Sequence, residues 1–254
     1  MYLKKSKISL KLRRELFQSF MKSFHRGPDN STFSNLTDNI IAGFHRLRIN
    51  DNGINMGDQP LIIDEQPNVQ LICNGEIYNY KELAKKHNFN LRTGSDCEII
   101  LHLFNKFNGD IHEVLYEIHG VFAFVIFDLE RKKITIARDP IGIRSMYIGS
   151  SFTNNGLVVT SELKSLHDIC DTMTQFPCGH YSVIKLNEFY DSNKYEPKYI
   201  PYYKFNYPIK EYNENEIIKK IRNELVKAVH MRIENSGRMV GAYLSGGLDS
   251  SIVT

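Results

Sequence analysis

The sequence contains no tryptophan and only four cysteines among its 254 residues. The cysteines, Cys73, Cys97, Cys170 and Cys178, are widely spaced and form no C-x-x-C pair. This spacing is poor support for a zinc site, which needs close pairs of ligands, or for the disulfide framework of a small secreted chain. We therefore expect a reducing, cytoplasmic setting and no metal site.

Long apolar runs and a strong charge of one sign are also missing. No stretch approaches the ~20 apolar residues that span a membrane, and the basic start at 1–5 is not followed by a signal-peptide core. A formal net charge of +3 is too small to indicate a nucleic acid or a membrane surface as partner. The hydrophobic content of 42% is typical of a globular protein with a full core.

The hydrophobic periodicity predicts both helices and strands. Helices are predicted over 8–24, 81–87, 96–107 and 217–231, the third with Ser95 as its N-cap. Strands are predicted near 40–49, 69–73, 121–127, 133–137, 157–160, 179–185 and 239–244, with a linker over 190–212. Run 121–127 is continuously apolar, which predicts a strand covered on both faces. Because the elements occur in blocks rather than in strict alternation, we expect an α+β layered sandwich.

The stretch 73–79 (CNGEIYN) follows the apolar run of the second predicted strand. At a strand end, the Asn74 side-chain amide and the Gly75 backbone N–H can point towards one place, which suits an oxyanion. Taken alone, an Asn-Gly pair is an ordinary turn signal. A functional interpretation therefore depends on the motifs found elsewhere in the chain.

The most specific motif is SGGLDSS at 245–251, directly after a predicted strand. A strand that ends in small residues exposes successive backbone N–H groups, which form an anion cradle with the serine hydroxyls. The loop lacks the lysine of a Walker A motif, so it does not predict ordinary NTPase chemistry. It resembles the pyrophosphate-binding loop of the ATP pyrophosphatases, which adenylate a carboxylate and release pyrophosphate.

With eight further motifs, the chain resembles the glutamine-dependent asparagine synthetases from about residue 12 to residue 254. The motifs are HRGPD (25–29), HRLRI (45–49), NGEIYN (74–79), GSDCE (94–98), GVFAF (120–124), RDPIGI (138–143), SELK (161–164) and FPCG (176–179). The resemblance implies a class II glutamine amidotransferase domain over 1–205, with the N-terminal-nucleophile-hydrolase-like four-layer α/β/β/α sandwich. Residues 206–254 would then be the first helix and strand of a truncated, Rossmann-like α/β synthetase domain.

The same resemblance assigns the site residues. Arg46 would pair bidentately with the α-carboxylate of glutamine, and Asp96 would hold its α-ammonium group. Asn74 and Gly75 would form the oxyanion hole. The other residues expected to contact glutamine are Leu47, Arg48, Ile49, Asn50 and Glu76. The residues expected to bind ATP are Leu244, Ser245, Gly246, Gly247, Leu248, Asp249 and Ser250, with Asp249 helping to bring Mg²⁺ to the phosphates.

The chain departs from this family at the nucleophile. Class II amidotransferases use an N-terminal cysteine, whose thiolate attacks the glutamine amide while its α-amino group moves the protons. Here residue 2 is Tyr, and the first cysteine is Cys73. In a strand, Cys73 would point away from Asn74, and it carries no free α-amino group. We interpret the first strand of the family as absent.

Three functions remain open. The first is a glutamine-dependent asparagine synthetase whose chain ends are misassigned or whose gene is split, so that a separate chain carries the rest of the synthetase domain. The second is a synthetase that uses free ammonia, or a relative of the β-lactam synthetases. The third is a non-catalytic relic that binds glutamine. Aspartate, ATP and Mg²⁺ are expected as ligands only with a complete synthetase domain, and a homodimer stays open.

The runner-up for the first domain alone is the phosphoribosyl or fructose-6-phosphate amidotransferase type. These enzymes use no ATP pyrophosphatase domain. The loop at 245–251 therefore argues against them.

We predict that this chain, produced alone, does not hydrolyse glutamine, because Tyr2 stands in place of the nucleophilic cysteine. The measurement is ammonia release with glutamine as substrate. Release that saturates with glutamine and disappears in the Asn74→Ala variant would contradict the prediction.

Overall fold

A computed structural model describes residues 1–48, 57–151, 153–192, 194–208, 211, 213–236 and 239–254. Its strands are β1 Tyr2–Lys4, β2 Asn30–Thr37, β3 Ile40–Arg46, β4 Leu61–Ile63, β5 Gln66–Ile77, β6 Gly120–Asp128, β7 Lys133–Arg138, β8 Tyr147–Ser151, β9 Gly156–Thr160, β10 Thr172–Gln175, β11 His180–Lys185 and β12 Ile200–Pro201. Its helices are α1 Leu10–Met21, α2 Tyr80–His87, α3 Glu98–Lys106, α4 Ile111–Glu117, α5 Leu186–Asp191, α6 Glu214–Glu234 and α7 Leu248–Val253, with 3-10 turns at Phe24–Arg26 and Leu163–Ser165.

Two antiparallel sheets of six strands each form the centre of the fold. Their orders are β10-β8-β9-β1-β3-β2 and β12-β11-β7-β6-β5-β4. The facing sides of the sheets pack together through one apolar cluster, which includes Leu3, Ile40, Val125 and Ile136. Helix α1 covers the outer side of the first sheet, and helices α2, α3 and α4 cover the outer side of the second. The predicted four-layer α/β/β/α sandwich is confirmed.

Strand β6 shows why its sequence is continuously apolar. Phe122, Phe124 and Ile126 face the cluster under the helices, whereas Val125 and Phe127 face the other sheet. Side chains alternate across a strand, so a strand in the middle of four layers needs apolar residues at every position. The prediction of a strand covered on both faces is confirmed.

Strand β1 corrects the expectation that the first strand of the family is missing. It lies between β3 and β9, with Tyr2 opposite both Ile41 and Val158. The Tyr2 side chain is 2% exposed and packs on the α1 side, whereas Leu3 faces the second sheet. Three residues are too few to show an alternating pattern, so the sequence did not reveal this strand.

Two further corrections concern the elements near the Asn-Gly pair. Strand β5 continues through Asn74 and Gly75, so the pair lies inside a strand rather than at its end. Ser95 is not the N-cap of α3, because that helix begins at Glu98 and Cys97 occupies the cap position.

The C-terminal part of the chain differs from the prediction in two places. Residues 239–244 form no strand, although a strand was predicted there. A single strand is unstable without neighbours to pair with, and the described part of the chain supplies none for it. Part of the predicted linker 190–212 instead forms β12, which pairs with β11.

Helix α6 confirms the predicted helix, but its apolar side chains, including Ile218 and Ile221, are exposed. Its C-terminal end contacts the residue that follows β5. The Asn235 amide donates to the Tyr78 carbonyl, and the Arg232 guanidinium lies 5.0 Å from the Tyr78 ring centroid. None of the described helices is both long and apolar enough to cross a membrane.

The loop between β7 and β8 is held by one buried carboxylate, that of Asp139, which is 1% exposed. It accepts hydrogen bonds of 2.6–3.3 Å from the backbone N–H groups of Phe122, Ile141, Gly142, Ile143 and Arg144. The neighbouring Arg138 guanidinium donates to the carbonyls of Gly142, Arg144 and Phe176. The loop is therefore fixed by side chains at its own start.

We predict that Asp139→Ala lowers the free energy of unfolding by about 3 kcal/mol, because it leaves several buried N–H groups without an acceptor. Urea unfolding at neutral pH measures the change. Asp64→Ala is the control, since Asp64 forms an exposed ion pair with Arg92 and should change stability by less than about 0.5 kcal/mol. An Asp139→Ala variant as stable as the parent would refute this role.

Candidate functional site

A cavity of about 550 Å³ opens where strands β3, β5 and β9 end. This volume lies within the range of small-molecule sites. The polar and charged residues in its wall include Arg46, Asn74, Glu76, Ser95, Asp96, Arg144 and Ser161. Leu47, Gly75 and, from β1, Tyr2 also line it. Five predicted glutamine-contact residues, besides Gly75, therefore come together in one cavity: Arg46, Leu47, Asn74, Glu76 and Asp96.

The alternation of side chains along β5 decides what faces this cavity. The Asn74 amide donates to the Ser161 hydroxyl across the gap between the sheets at 3.3 Å. The preceding residue, Cys73, is 2% exposed and belongs to the apolar cluster under helices α2 to α4. The prediction that the Cys73 side chain points away from that of Asn74 is confirmed.

Gly75 lies in close contact with the neighbouring strand β6. A Cβ atom at this position would lie 2.4 Å from the Val121 carbonyl oxygen and 2.7 Å from the Phe122 Cα. Both atoms belong to the backbone, so they cannot give way as a flexible side chain would. Only glycine fits here, and the close pairing keeps the adjacent Asn74 in place.

Arg46 is the last residue of β3 and is 6% exposed. Its guanidinium donates to the Asp58 carboxylate at 2.7 Å, which fixes its orientation. A Cβ atom on Gly57 would lie 2.6 Å from the Arg46 Nη2, so the absence of a side chain at Gly57 makes room for the guanidinium.

The neighbours of Arg46 are placed differently. Leu47 is 57% exposed at the rim of the cavity. Arg48 does not line the cavity, and its backbone N–H donates to the Asp29 carboxylate. Ile49 and Asn50, the two remaining residues predicted to contact glutamine, lie outside the described residues.

Asp96 is positioned by the end of β5 and by the start of α3. Its carboxylate is 6% exposed and accepts the Ile77 backbone N–H at 2.6 Å. Two residues later, the buried Glu98 carboxylate accepts from the Arg92 N–H and from both the N–H and the hydroxyl of Thr93. These bonds fix the loop that carries Asp96 into the cavity.

The pKa of Glu98 reflects this network. Burial raises the pKa of the Glu98 carboxyl, but hydrogen bonds from His102, Arg92 and Thr93 lower it more, to about 2. The carboxylate therefore stays charged, and its hydrogen bonds remain charge-assisted.

Arg144 also lines the cavity, although no sequence motif indicated it. Its guanidinium donates to the Glu76 carboxylate at 2.8 Å inside the cavity wall. It follows directly after the RDPIGI motif at 138–143, but nothing in the local pattern shows which way the loop turns. The contacts of Asp139 and Arg138 with the loop bring Arg144 to β5.

The described cysteines offer no activated thiol beside Asn74. Cys97 donates to the Gly75 carbonyl at 3.7 Å, and a hydrogen bond with the Cys73 thiol, together with burial, raises the pKa of Cys97 well above its ordinary value. Burial raises the pKa of Cys170 to about 12. A raised thiol pKa leaves little thiolate to act as a nucleophile. Cys178 is exposed and does not line the cavity.

The predicted ATP-binding residues do not contribute to this cavity. The hydroxyls of Ser245 and Ser250 lie 2.9 Å apart, and the Gly247 N–H donates to Ser245. Gly246 has a φ of 79°, with open space where a Cβ would stand. Within the described residues, no three His, Cys, Asp or Glu side chains are grouped closely enough to hold a metal ion.

Comparisons with known proteins divide the chain in the same order as its motifs. The family model of the glutamine amidotransferase domain matches residues 5–201, and that of asparagine synthase matches residues 220–254. The glutamine-hydrolyzing asparagine synthetase 1 of Arabidopsis thaliana is 37% identical over 230 residues, which cover 90% of this chain and 36% of that protein. The glutamine-hydrolyzing asparagine synthetase of Cricetulus griseus is 35% identical over 255 residues, covering 92% of this chain and 44% of that protein.

The chain spans less than half the length of these relatives. Among solved structures, the allosteric regulatory enzyme of purine biosynthesis is similar with a TM-score of 0.50 and 22% identity. The match covers 63% of this chain and 34% of that one. At this identity, the likeness supports the four-layer sandwich and nothing about the reaction.

We predict that protonation of Glu98 lowers the free energy of unfolding at acid pH. Its pKa falls from an ordinary value of 4.5 to about 2 on folding, so its stabilisation is complete above pH 4.5 and is lost as the pH falls towards 2. After solvent screening, the contribution is up to about 2 kcal/mol.

Urea unfolding between about pH 7 and about pH 3 tests this prediction by comparing the parent with Glu98→Gln. The stability difference between the two should shrink as the pH falls. Glu188→Gln is the control, because Glu188 pairs with Lys185 on the exposed surface and should leave the profile almost unchanged. Parallel profiles for the parent and Glu98→Gln would show that the prediction is wrong.

Proposed function

Because the chain belongs to the glutamine amidotransferase domain family, we propose that its cavity binds glutamine. The observation that carries the proposal is the meeting of Arg46, Asp96 and Asn74 around one space. The Arg46 guanidinium suits the α-carboxylate, and the Asp96 carboxylate suits the α-ammonium group. The opposite charges at the two positions match a zwitterionic amino acid and fix its direction in the cavity.

The side-chain amide of the ligand would lie near Asn74 and Gly75. Donors already held in place stabilise an oxyanion better than mobile ones, because no reorganisation is needed when the charge forms. Glu76 and Leu47 complete this wall, and Arg48, Ile49 and Asn50 stay predictions for the same site. Hydrolysis itself needs a thiolate beside Asn74. The Cys73 side chain faces the helices instead, and the raised pKa of Cys97 leaves little thiolate there.

The wider proposal is the ATP-dependent amidation of aspartate to asparagine, with ammonia from glutamine, in a protein with a complete synthetase domain. What supports it is the order of the two family matches and the likeness to glutamine-hydrolyzing asparagine synthetases. On this proposal, residues 1–205 are the amidotransferase domain and residues 206–254 begin the synthetase domain. The exposed apolar side chains of α6 would pack against the rest of that domain, on this chain or on a separate one.

The loop at 244–250 has the donors that phosphate groups need: serine hydroxyls, and backbone N–H groups around the left-handed Gly246. Leu244, Ser245, Gly246, Gly247, Leu248, Asp249 and Ser250 would hold the phosphates of ATP. Asp249 would help to hold Mg²⁺, and ATP would supply the activation of the aspartate carboxylate.

The second candidate is a module that binds glutamine without hydrolysing it. The observation that favours it is Tyr2, a residue in the cavity wall whose phenol side chain packs in the apolar cluster under α1 and supplies no thiol nucleophile. Glutamine binding is common to both candidates.

We predict that Arg46→Ala raises the dissociation constant for glutamine by at least about tenfold, because the α-carboxylate loses its charged partner. Titration calorimetry measures the affinity, and thermal unfolding checks that each variant is folded. Arg46→Lys keeps the charge without the planar guanidinium. Its dissociation constant for glutamine should lie between those of the parent and Arg46→Ala.

Arg92→Ala is the matched control, since this arginine also pairs with an aspartate but lies outside the cavity. It should bind glutamine as the parent does. Equal affinity in the parent and a folded Arg46→Ala variant would rule out the proposed orientation of glutamine.

A further inference from the structure

The ion pair between Glu76 and Arg144 has no role in the function proposed so far. The Arg144 Nη2 and the Glu76 Oε1 lie 2.8 Å apart, and about a quarter of each side chain is exposed. Both residues line the cavity, together with Arg46 and Asp96. A carboxylate in such a half-buried place acts strongly on any charged ligand, because little water screens it.

The position of Arg144 is fixed from several sides. Its backbone N–H donates to the Asp139 carboxylate, and its carbonyl accepts from the Arg138 Nε. The next residue, Ser145, donates its hydroxyl to the Ser161 carbonyl at 2.7 Å. Ser161 is also the partner of the Asn74 amide. The loop therefore contacts Glu76 directly and is linked to Asn74 through Ser161.

Glu76 would disturb a bound amino acid if it stood alone. Its negative charge would repel the carboxylate of any zwitterionic ligand in the cavity, and the repulsion would be larger for a ligand with a second carboxylate. In the ion pair with Arg144, the negative charge of Glu76 is compensated at close range by the guanidinium. The carboxylate also keeps one orientation, because a guanidinium donor holds it.

We propose that Arg144 is a positioning residue that holds and neutralises Glu76, so that the cavity accepts amino-acid carboxylates. The inference rests on the proposed binding of glutamine and deepens it. Glutamate carries a second carboxylate. Its affinity should therefore depend on Arg144 more strongly than the affinity for glutamine does.

Titration calorimetry with glutamine and with glutamate tests the inference on the full chain. Arg144→Met should raise the dissociation constant for glutamine about tenfold and that for glutamate by a further factor of about ten. Arg144→Lys restores the charge and should recover most of both affinities. A purely structural role would weaken both ligands equally and would not be rescued by a charge.

The double variant Glu76→Gln with Arg144→Met separates charge compensation from independent contacts. Without the Glu76 charge, the loss of Arg144 should cost less, so the double variant should lose less affinity than the sum of the two single losses. Arg131→Met is the matched control, because Arg131 pairs with Asp128 at 3.0 Å and does not line the cavity. It should leave both affinities unchanged.

The outcomes distinguish the two proposals. If the parent binds glutamine and a folded Arg144→Met variant binds both amino acids equally well, the role of Arg144 is refuted and the proposed function stands. Additive losses in the double variant, or an unchanged ratio of the two affinities, also refute it. If the parent binds neither amino acid, the proposed function itself fails, and the role of Arg144 fails with it.

Discussion

The Asp139 carboxylate is the contact on which the geometry of the cavity depends most. Loop 139–144 turns around it, and four backbone N–H groups of the turn donate to its two oxygens. Leaving such groups unpaired in a buried place costs more free energy than a typical hydrogen bond gains. The same carboxylate accepts from Phe122 in β6, the strand beside β5, so the loop is tied to the central strands of the second sheet. Arg144 therefore reaches Glu76 without depending on surface side chains.

The pleat of β5 separates the two kinds of residue that its sequence mixes. Asn74 and Glu76 face the gap between the sheets, whereas Cys73 and Ile77 face the helices. A shift of one residue in the register with β6 would bury the polar pair and expose the apolar one. The register is secured by Gly75, which allows a closer approach to β6 than any other residue. One glycine therefore supports both the packing of the sheet and the composition of the cavity.

The charges in the cavity wall are paired in a way that suits a zwitterion. Arg46 is held by Asp58, and Glu76 is held by Arg144. Pairing lowers the cost of removing each charge from water, and the remaining hydrogen bonds fix where each group points. On the proposed function, these fixed groups would recognise both ends of an amino acid. Helix α6, in contrast, exposes apolar side chains over its length, and its end is tied to Tyr78 by Asn235 and Arg232. The residue that follows β5 is thus linked to the part of the chain that matches the asparagine synthase model.

The sequence alone determined the layered α+β fold, the central strand β6 and six of the residues that line the cavity: Arg46, Leu47, Asn74, Gly75, Glu76 and Asp96. These follow from local patterns: periodicity predicts elements, and ordered motifs identify a family with a known arrangement. Strand β1, the true extent of β5 and the role of Arg144 could not be predicted in this way. Each depends on a partner distant in the chain: β1 on β3 and β9, β5 on β6, and Arg144 on Asp139 and Glu76. The missing strand at 239–244 has the same cause: its local pattern predicts a strand, but no strand among the described residues pairs with it. Local sequence sets which elements a segment can form. Only tertiary contacts decide whether an element forms and which side chains meet, because hydrogen bonds between strands and across loops join residues that no local pattern connects.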